Sequence, residues 1–321
     1  MAYSYFSWRH ALVGSFDIFH VHFPEGLIRG GTPTKARIKR ILFRFFLLRL
    51  RLTRRPVVRT VHNAAPHDSG DGREVKLLDA LDRLVSMRVV LNDCTQQSWQ
   101  GPTVLIPHGD YREQLESLPR GEMEPARILL FGRIRPYKGA LELIRAGLQE
   151  DAAGLHIRVV GSPTPELRRE IEQTLESRQP GGARITTELR TVSDEEMVQE
   201  FSEAEIAVVP NADLAQSNSG VALMSLSLDR PVAIRRVCLT ESLATEAGRG
   251  WVTFLDDGLT GESLWRSIRE IRQERQSTSP NLQGRDWPSI ASAYAGIFRD
   301  LLRPASAEPS LTQPTSKDSP Q

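Results

Sequence analysis

Arg133 and Lys138 stand five residues apart, with Gly132 before them and Gly139 behind, in ILLFGRIRPYKGALELIRAG (residues 128–147). Cations held beside a helix N-terminus suit a diphosphate: guanidinium and ammonium donate charge-assisted bonds, and helix N–H groups point at the same anion. The order apolar run, glycine, cations, proline, amphipathic run predicts a strand at 128–131, a sharp turn and a helix at 137–148. Glycine permits that turn at the carboxyl end of a strand, where open α/β sheets bind ligands. An ordinary β-turn-α unit with solvated charges is the competing reading.

A second candidate lies at Ser217, Asn218, Ser219 and Gly220, at the start of a helix predicted near 219–228. The N–H groups of Asn218, Ser219 and Gly220 could meet the same phosphates, with Asn218 or Ser217 as the cap. A plain capped helix is the alternative. His62 closes an apolar strand at 56–61, and its two ring nitrogens can donate or accept. On the strand at 17–22, His20 and His22 alternate, and one of them is expected to face the core. Glu25 follows and is a candidate to orient a hydroxyl or act as a base, against the plainer reading of a solvated carboxylate. His108, between Pro107 and Gly109, is either a site residue or a packing residue. No metal is expected, because neither cysteines nor carboxylates stand at ligand spacing from the histidines.

The elements that must position these groups alternate. Strands are predicted at 3–7, 17–22, 56–61, 88–91 and 103–106, with helices at 73–86 and from Asp93. A polar stretch at 112–125 reads as a linker. Strands at 128–131, 156–160, 183–187, 206–209 and 231–235 then alternate with helices at 165–177, 194–202, 219–228, 240–247, 262–275 and 287–302. This alternation predicts mostly parallel sheets, hence an α/β fold of two Rossmann-like halves. Beyond Pro304 the chain is rich in Ser, Pro, Thr and Gln, and disorder is expected there.

A chain of 321 residues with 40% apolar and 25% charged residues is ordinary for a globular protein of about two domains. The net charge of +1 offers no ground for a nucleic-acid partner. Cys94 and Cys238 fit no metal or disulfide pattern, which favours a reducing compartment. The start lacks a signal-peptide core, and no run of about 18 apolar residues is present to span a bilayer. The expected location is cytoplasmic.

Several stretches together resemble the bacterial GT-B glycosyltransferases of the retaining, sugar-nucleotide-dependent, family-4-like group. FGRIRPYKG resembles that group's G-R-x(4)-K-G phosphate loop, TVHN (residues 60–63) its histidine loop, and LIPHGDY (residues 105–111) its I-P-N-G-V-D segment. DIFHVHFPE and the stretch 208–234 are most similar to an exopolysaccharide-type subgroup with H-V-H-W-P-E and S-G-V-A-L. The resemblance covers residues 5–302 and implies two Rossmann-like domains facing across a cleft. These would be an acceptor-side domain at 1–111, a linker at 112–125, a nucleotide-sugar domain at 126–286, a helix at 287–303 crossing back, and a disordered tail at 304–321. The chain begins at what resembles the family's second strand, so the first β-α unit is expected to be missing.

By the same resemblance, Arg133 and Lys138 bind the donor diphosphate and stabilise the leaving group. Gly132, Ser217, Asn218, Ser219 and Gly220 line that site, and His62 approaches the donor sugar. Glu25, His22 and His108 fall on the acceptor side, and neither metal nor cofactor is called for. Where the family carries two glutamates eight positions apart, this chain has Gln216 or Ser217 and Met224 or Ser225, so Ser217, Ser225 or backbone must take their place. The expected activity is transfer of a hexose from a GDP- or UDP-linked donor to a lipid-linked or polysaccharide acceptor. A catalytically degenerate GT-B scaffold is the alternative. Epimerase and phosphorylase readings lack their carboxylates and cofactor lysine loop, and no G-x-G-x-x-G marks a dinucleotide oxidoreductase.

One segment stands outside that site. Between Glu25 and Asp68 there are eleven lysines and arginines and no acid. Within it, residues 35–55 place Ile38, Ile41, Leu42, Phe45, Leu48 and Leu52 on one helical stripe, with Arg37, Arg40, Arg44, Arg51 and Arg54 largely on the other side. Such a helix either covers a sheet or lies on an anionic membrane at the inner face of the plasma membrane.

Overall fold

A computed structural model describes residues 2–62, 70–94, 99–177, 180–211, 219–255 and 258–303. Asn63, Ser217, Asn218, most of the helix expected from Asp93 and the tail at 304–321 lie outside the described residues. By its internal contacts the chain divides into two units. One comprises residues up to Arg59, Gly70–Met87 and residues from Ala291; the other comprises Thr60–Ser69 and Arg88–Ile290.

The first unit opens with helix α1 (Trp8–Val13), and the strand expected at 3–7 does not form. Tyr3 and Tyr5 are 76% and 84% exposed, so their alternation meets no sheet, while the Ser7 hydroxyl caps α1 through His10 N at 3.2 Å. Strand β1 (Phe19–Val21) leads to helix α2 (Pro33–Thr53). Thr32 caps α2 through Lys35 N at 3.3 Å, Pro33 presets its first turn, and Arg54 ends it in a left-handed conformation. Phe43, Phe46, Leu47 and Leu50 are its buried face, with Phe46 edge-on to Phe19 at 4.8 Å. Strand β2 (Val57–Val61) follows, then helix α3 (Gly72–Asp82), capped by Asp71. Glu74 is 3% exposed and accepts from Arg29 at 2.6 Å, so the buried carboxylate is paired. With β3 (Val85–Val90) and β4 (Thr103–Leu105), the latter among the residues of the second unit, the strands form a sheet in the order β1-β2-β3-β4.

The second unit is built on a six-stranded parallel sheet. After short helix α4 (Arg112–Leu115) come β5 (Arg127–Phe131), α5 (Ala140–Gly147), β6 (His156–Val160), α6 (Pro165–Glu176), β7 (Arg184–Glu188) and α7 (Asp194–Glu203). Then follow β8 (Ile206–Val209), α8 (Gly220–Ser227), β9 (Val232–Ile234), α9 (Cys238–Ala247), β10 (Val252–Phe254) and α10 (Gly261–Glu274); α11 (Trp287–Leu302) ends the described chain. The order is β10-β9-β8-β5-β6-β7. Alternate residues feed opposite faces. Ile128, Leu130, Val159, Ile206 and Val208 join one core with α5, α6 and α10. Leu129, Val160, Ala207 and Val209 join the other, with α7 and α8. Covering on both faces is why these strands read as continuous apolar runs. Strand β10 has three residues at the sheet edge, too few for periodicity to reveal.

Two further expectations are overturned. Cys94, after β3, and Cys238, the first residue of α9, are joined by a disulfide of 2.09 Å. They are 144 positions apart in sequence but 5.8 Å apart between Cα atoms, so linear spacing was no guide to pairing, and the reducing-compartment argument falls with it. His20 and His22 lie on one side of the chain with ring centroids 4.5 Å apart, and neither is buried. Residues two apart on a strand share a face, so neither need enter the core. His20 instead packs against Tyr294 and Phe298 of α11, at 5.1 and 5.6 Å.

Candidate active site

The loop carrying Arg133 and Lys138 leaves β5 at the point where the sheet's order reverses. From β5 the chain proceeds to β6 and β7 on one side and returns to β8 on the other. Loops leaving the carboxyl ends of two such neighbours part in opposite directions and open the crevice in which α/β sheets take ligands. The loops after β5 and β8 do meet here. A Cβ on Gly139, which has φ +71°, would lie 2.8 Å from Pro210 Cγ, the first residue past β8. That glycine is required by the left-handed backbone and by the proline against it.

The loop is held from below. Gly132 N donates to Val160 O at 3.0 Å and Ile134 N to Ser162 O at 3.1 Å, with Ile134 fully buried. Gly161, φ +146°, passes so close beneath that a Cβ there would lie 1.7 Å from Gly132 O. Above this anchor, Pro136–Lys138 form a 3-10 turn in place of the helix start expected at 137, and Gly139 breaks it from α5.

Arg133 is exposed and Lys138 half-buried. Burial holds the Lys138 ammonium below its ordinary range, and the charges of Arg133 and then Arg135 push the same way. The turn therefore concentrates three cations that repel one another, an arrangement that an anion between them would relieve. Arg135, inside the motif, was missed as a third cation; it is anchored through its guanidinium to Ile134 O at 2.9 Å. Arg235, just past β9, donates to Pro210 O at 3.3 Å and lies 3.7 Å from Glu142. Its position at a strand's carboxyl end was the only signal available in sequence.

The first turn of α8 adjoins the loop: a Cβ on Gly132 would lie 3.6 Å from Val221 Cγ2. The cap of α8 is Ser219, whose hydroxyl accepts from Ala222 N at 3.2 Å, and not Asn218 or Ser217 as expected. Gly220 begins the helix, exposed, with Tyr111 nearby: a Cβ on Gly220 would be 3.6 Å from the phenol oxygen. Burial raises the Tyr111 phenol above its ordinary range, which keeps it a neutral hydrogen-bonding group. Tyr111 closes the motif at 105–111 and no role was expected for it. Ser225 does not stand in for a family glutamate. It is fully buried, and its hydroxyl donates to Arg230 O at 2.9 Å. The Ser227 hydroxyl is likewise engaged, donating to Leu223 O and accepting from Tyr111 N.

The remaining candidates lie on other elements. His62, half-buried, follows the last residue of β2. His22 and Glu25 belong to the first unit, His22 one residue beyond β1 and Glu25 in a 3-10 turn at Pro24–Leu27. His108 sits between Tyr111 and Trp287, at 5.9 and 6.4 Å, and its carbonyl accepts from Arg285 at 3.0 Å. A cavity of about 430 Å³ lined by Asp110, Arg112, Asn281, Gln283 and Trp287 shares no residue with the cationic turn. No group of three His, Cys, Asp or Glu side chains could hold a metal ion among the described residues.

No family model matches the chain. Two sequences from Xanthomonas campestris pv. campestris, both named GDP-mannose:glycolipid 4-beta-D-mannosyltransferase, are each 33% identical to it over 300 residues, spanning 93% of this chain and 84% of theirs. Among solved structures, HepE of Anabaena in complex with UDP-glucose aligns with a TM-score of 0.60 at 15% identity, over 81% of this chain and 77% of that one. The HepE complex with UDP and glucose gives 0.62 at 14%, over 89% and 78%. A trehalose-phosphate synthase of Burkholderia vietnamiensis gives 0.57 at 13%, over 87% and 80%. At such identities the likeness concerns the fold, and that fold is GT-B.

Proposed function

The chain belongs to the glycosyltransferase family that contains the GDP-mannose:glycolipid 4-beta-D-mannosyltransferases, and from that premise we propose that it transfers a hexose from a nucleotide sugar to a lipid-linked acceptor. GDP-mannose is the first donor to test, and UDP-glucose the second, since a UDP-glucose complex exists for a structural neighbour. The observation that carries the reading is the cationic turn of Arg133, Arg135 and Lys138 beside the first turn of α8.

In this reading the diphosphate lies on those cations and on the free N–H groups at Gly220 and Val221. As the glycosidic bond breaks, negative charge grows on the departing nucleoside diphosphate, and preorganised cations are most effective there. They would supply the charge that a divalent metal supplies elsewhere, so activity should be metal-independent. Ser217 and Asn218 are proposed to line the same site, His62 to approach the donor sugar, and Glu25, His22 and His108 to serve the acceptor. The proposed organisation has acceptor-side residues at 1–111, donor-binding residues at 126–286, and residues 287–303 crossing back. Exopolysaccharide assembly at the cytoplasmic face of the plasma membrane is the setting this implies.

Stereochemistry separates two versions. The motifs at 132–139 and 60–63 imply retention, whereas a β-linked product like that named for the relatives requires inversion if the donor is α-linked. Inversion needs a base, for which Glu25 is the candidate; the anomeric configuration of the product decides. The reading as a whole is tested by calorimetric titration with GDP-mannose, GDP, UDP-glucose and UDP. Loss of a bond to a charged group typically costs about 1.5–3 kcal/mol, so Arg133→Ala and Lys138→Ala should each weaken binding roughly ten- to a hundred-fold. Unchanged affinity in both variants refutes the assignment.

A further inference from the structure

We propose that the outward face of α2 is a docking surface for an anionic phospholipid bilayer. This helix has two apolar faces. Phe43, Phe46, Leu47 and Leu50 are buried, while Ile38, Ile41, Phe45, Leu48 and Leu52 are 52%, 42%, 59%, 52% and 73% exposed. The second set advances by three, four, three and four residues and so forms one stripe, about 21 Å long at 1.5 Å per residue. The stripe read from sequence is thus the side turned away from the core, with only Leu42 half-buried. A single exposed leucine needs no explanation, but five large apolar side chains in a row mark a surface that something covers.

The cations sort by face. Those turned toward the protein are engaged: Arg40 with Asp71 at 2.8 Å, Arg49 with Ala11 O at 2.7 Å, and Lys39 with Gly26 O at 3.0 Å. Arg37, Arg44 and Arg51 recur every seventh residue beside the exposed stripe, and none has an ion-pair partner among the described residues. They flank the stripe, where the sequence pattern suggests an opposite side. Apolar side chains bordered by long cations that can extend past them match the boundary between acyl chains and anionic headgroups. Charge complementarity selects this occupant over a second copy of the chain. A symmetric pairing of two such faces would set arginine against arginine, and residues 26–67 contain no acid to offset it.

This surface relies on the transfer reading only for the nature of its acceptor, and the two can fail separately. The protein is sedimented with vesicles of phosphatidylcholine alone and with phosphatidylglycerol added, at low and high salt. Retention by the anionic vesicles and release by salt are expected. Each arginine removed should weaken retention about five-fold, and Arg37→Gln/Arg44→Gln/Arg51→Gln together about a hundred-fold. Phe45→Ser/Leu48→Ser should lower retention by anionic vesicles at low salt. Both variants should keep the wild-type circular dichroism and affinity for GDP-mannose, which separates docking from folding and from donor binding. Equal retention by neutral and anionic vesicles, no retention, or variants that bind as wild type overturns the proposal. So does a dimer in light scattering that Phe45→Ser/Leu48→Ser disperses.

Discussion

Replacing Gly161 by alanine tests the anchor on which the cationic turn depends. The new methyl carbon would lie 1.7 Å from Gly132 O and must retreat to at least 3.0 Å, so β6's exit and the turn must part by about 1.3 Å. Two bonds bracket the contact, Gly132 N to Val160 O at 3.0 Å and Ile134 N to Ser162 O at 3.1 Å. A shift of that size carries both beyond hydrogen-bonding range, for about 0.5–1.5 kcal/mol each. The backbone at φ +146° adds strain of about 1–3 kcal/mol for a residue with a Cβ. Together these predict a loss of about 2–6 kcal/mol, read as a lowered urea midpoint with unchanged slope. A displacement near 1 Å in a positioning loop should also weaken GDP-mannose binding by roughly a hundred-fold. Gly132→Ala is the control, because its methyl meets only Val221 at 3.6 Å, leaving backbone strain at φ +106° alone. Should Gly161→Ala unfold at the wild-type midpoint and bind donor normally, the close approach of the two strand ends is wrong.

Two further expectations concern the body of the second unit. Cleaving the Cys94–Cys238 bond with a dithiol, or substituting Cys238→Ser, should lower the urea midpoint by an amount equivalent to about 2–5 kcal/mol, and thiol counting on unreduced protein should find none free. His156 donates from Nδ1 to the Glu124 carboxylate at 2.9 Å, and its Nε2 lies 2.8 Å from the Thr186 hydroxyl. Burial outweighs the Glu124 carboxylate and lowers the His156 pKa. The unfolded chain therefore takes up the proton first, and stability should fall as pH drops below about 6.5, with a shallower slope in His156→Gln. An identical slope in both proteins removes His156 from the account.

Much of the second unit was legible because its strands are buried on both faces. The runs at 156–160 and 206–209 were bounded to the residue, and the glycine–cation–glycine order marked the loop after β5. Where local chemistry leaves several equivalent choices, the sequence was silent. Ser217, Asn218 and Ser219 are all competent caps by residue type, and only the bond from Ala222 N marks Ser219 as the one used. Ser225 reads as a free hydroxyl until its place beneath Arg230 is seen.

What residue types and order determined by themselves was the parallel α/β build, the cations at 133 and 138 with a strand before and a helix after, and an apolar stripe on α2. These follow from short-range rules of period, turn and charge, which every segment carries within itself. The tertiary structure alone decided that Arg235 reaches Pro210 past β8, that the stripe on α2 faces away from the core, and that Cys94 meets Cys238. Each of those depends on which surfaces the folded chain brings together, and contacts between residues far apart in sequence leave no mark in the spacing of either partner.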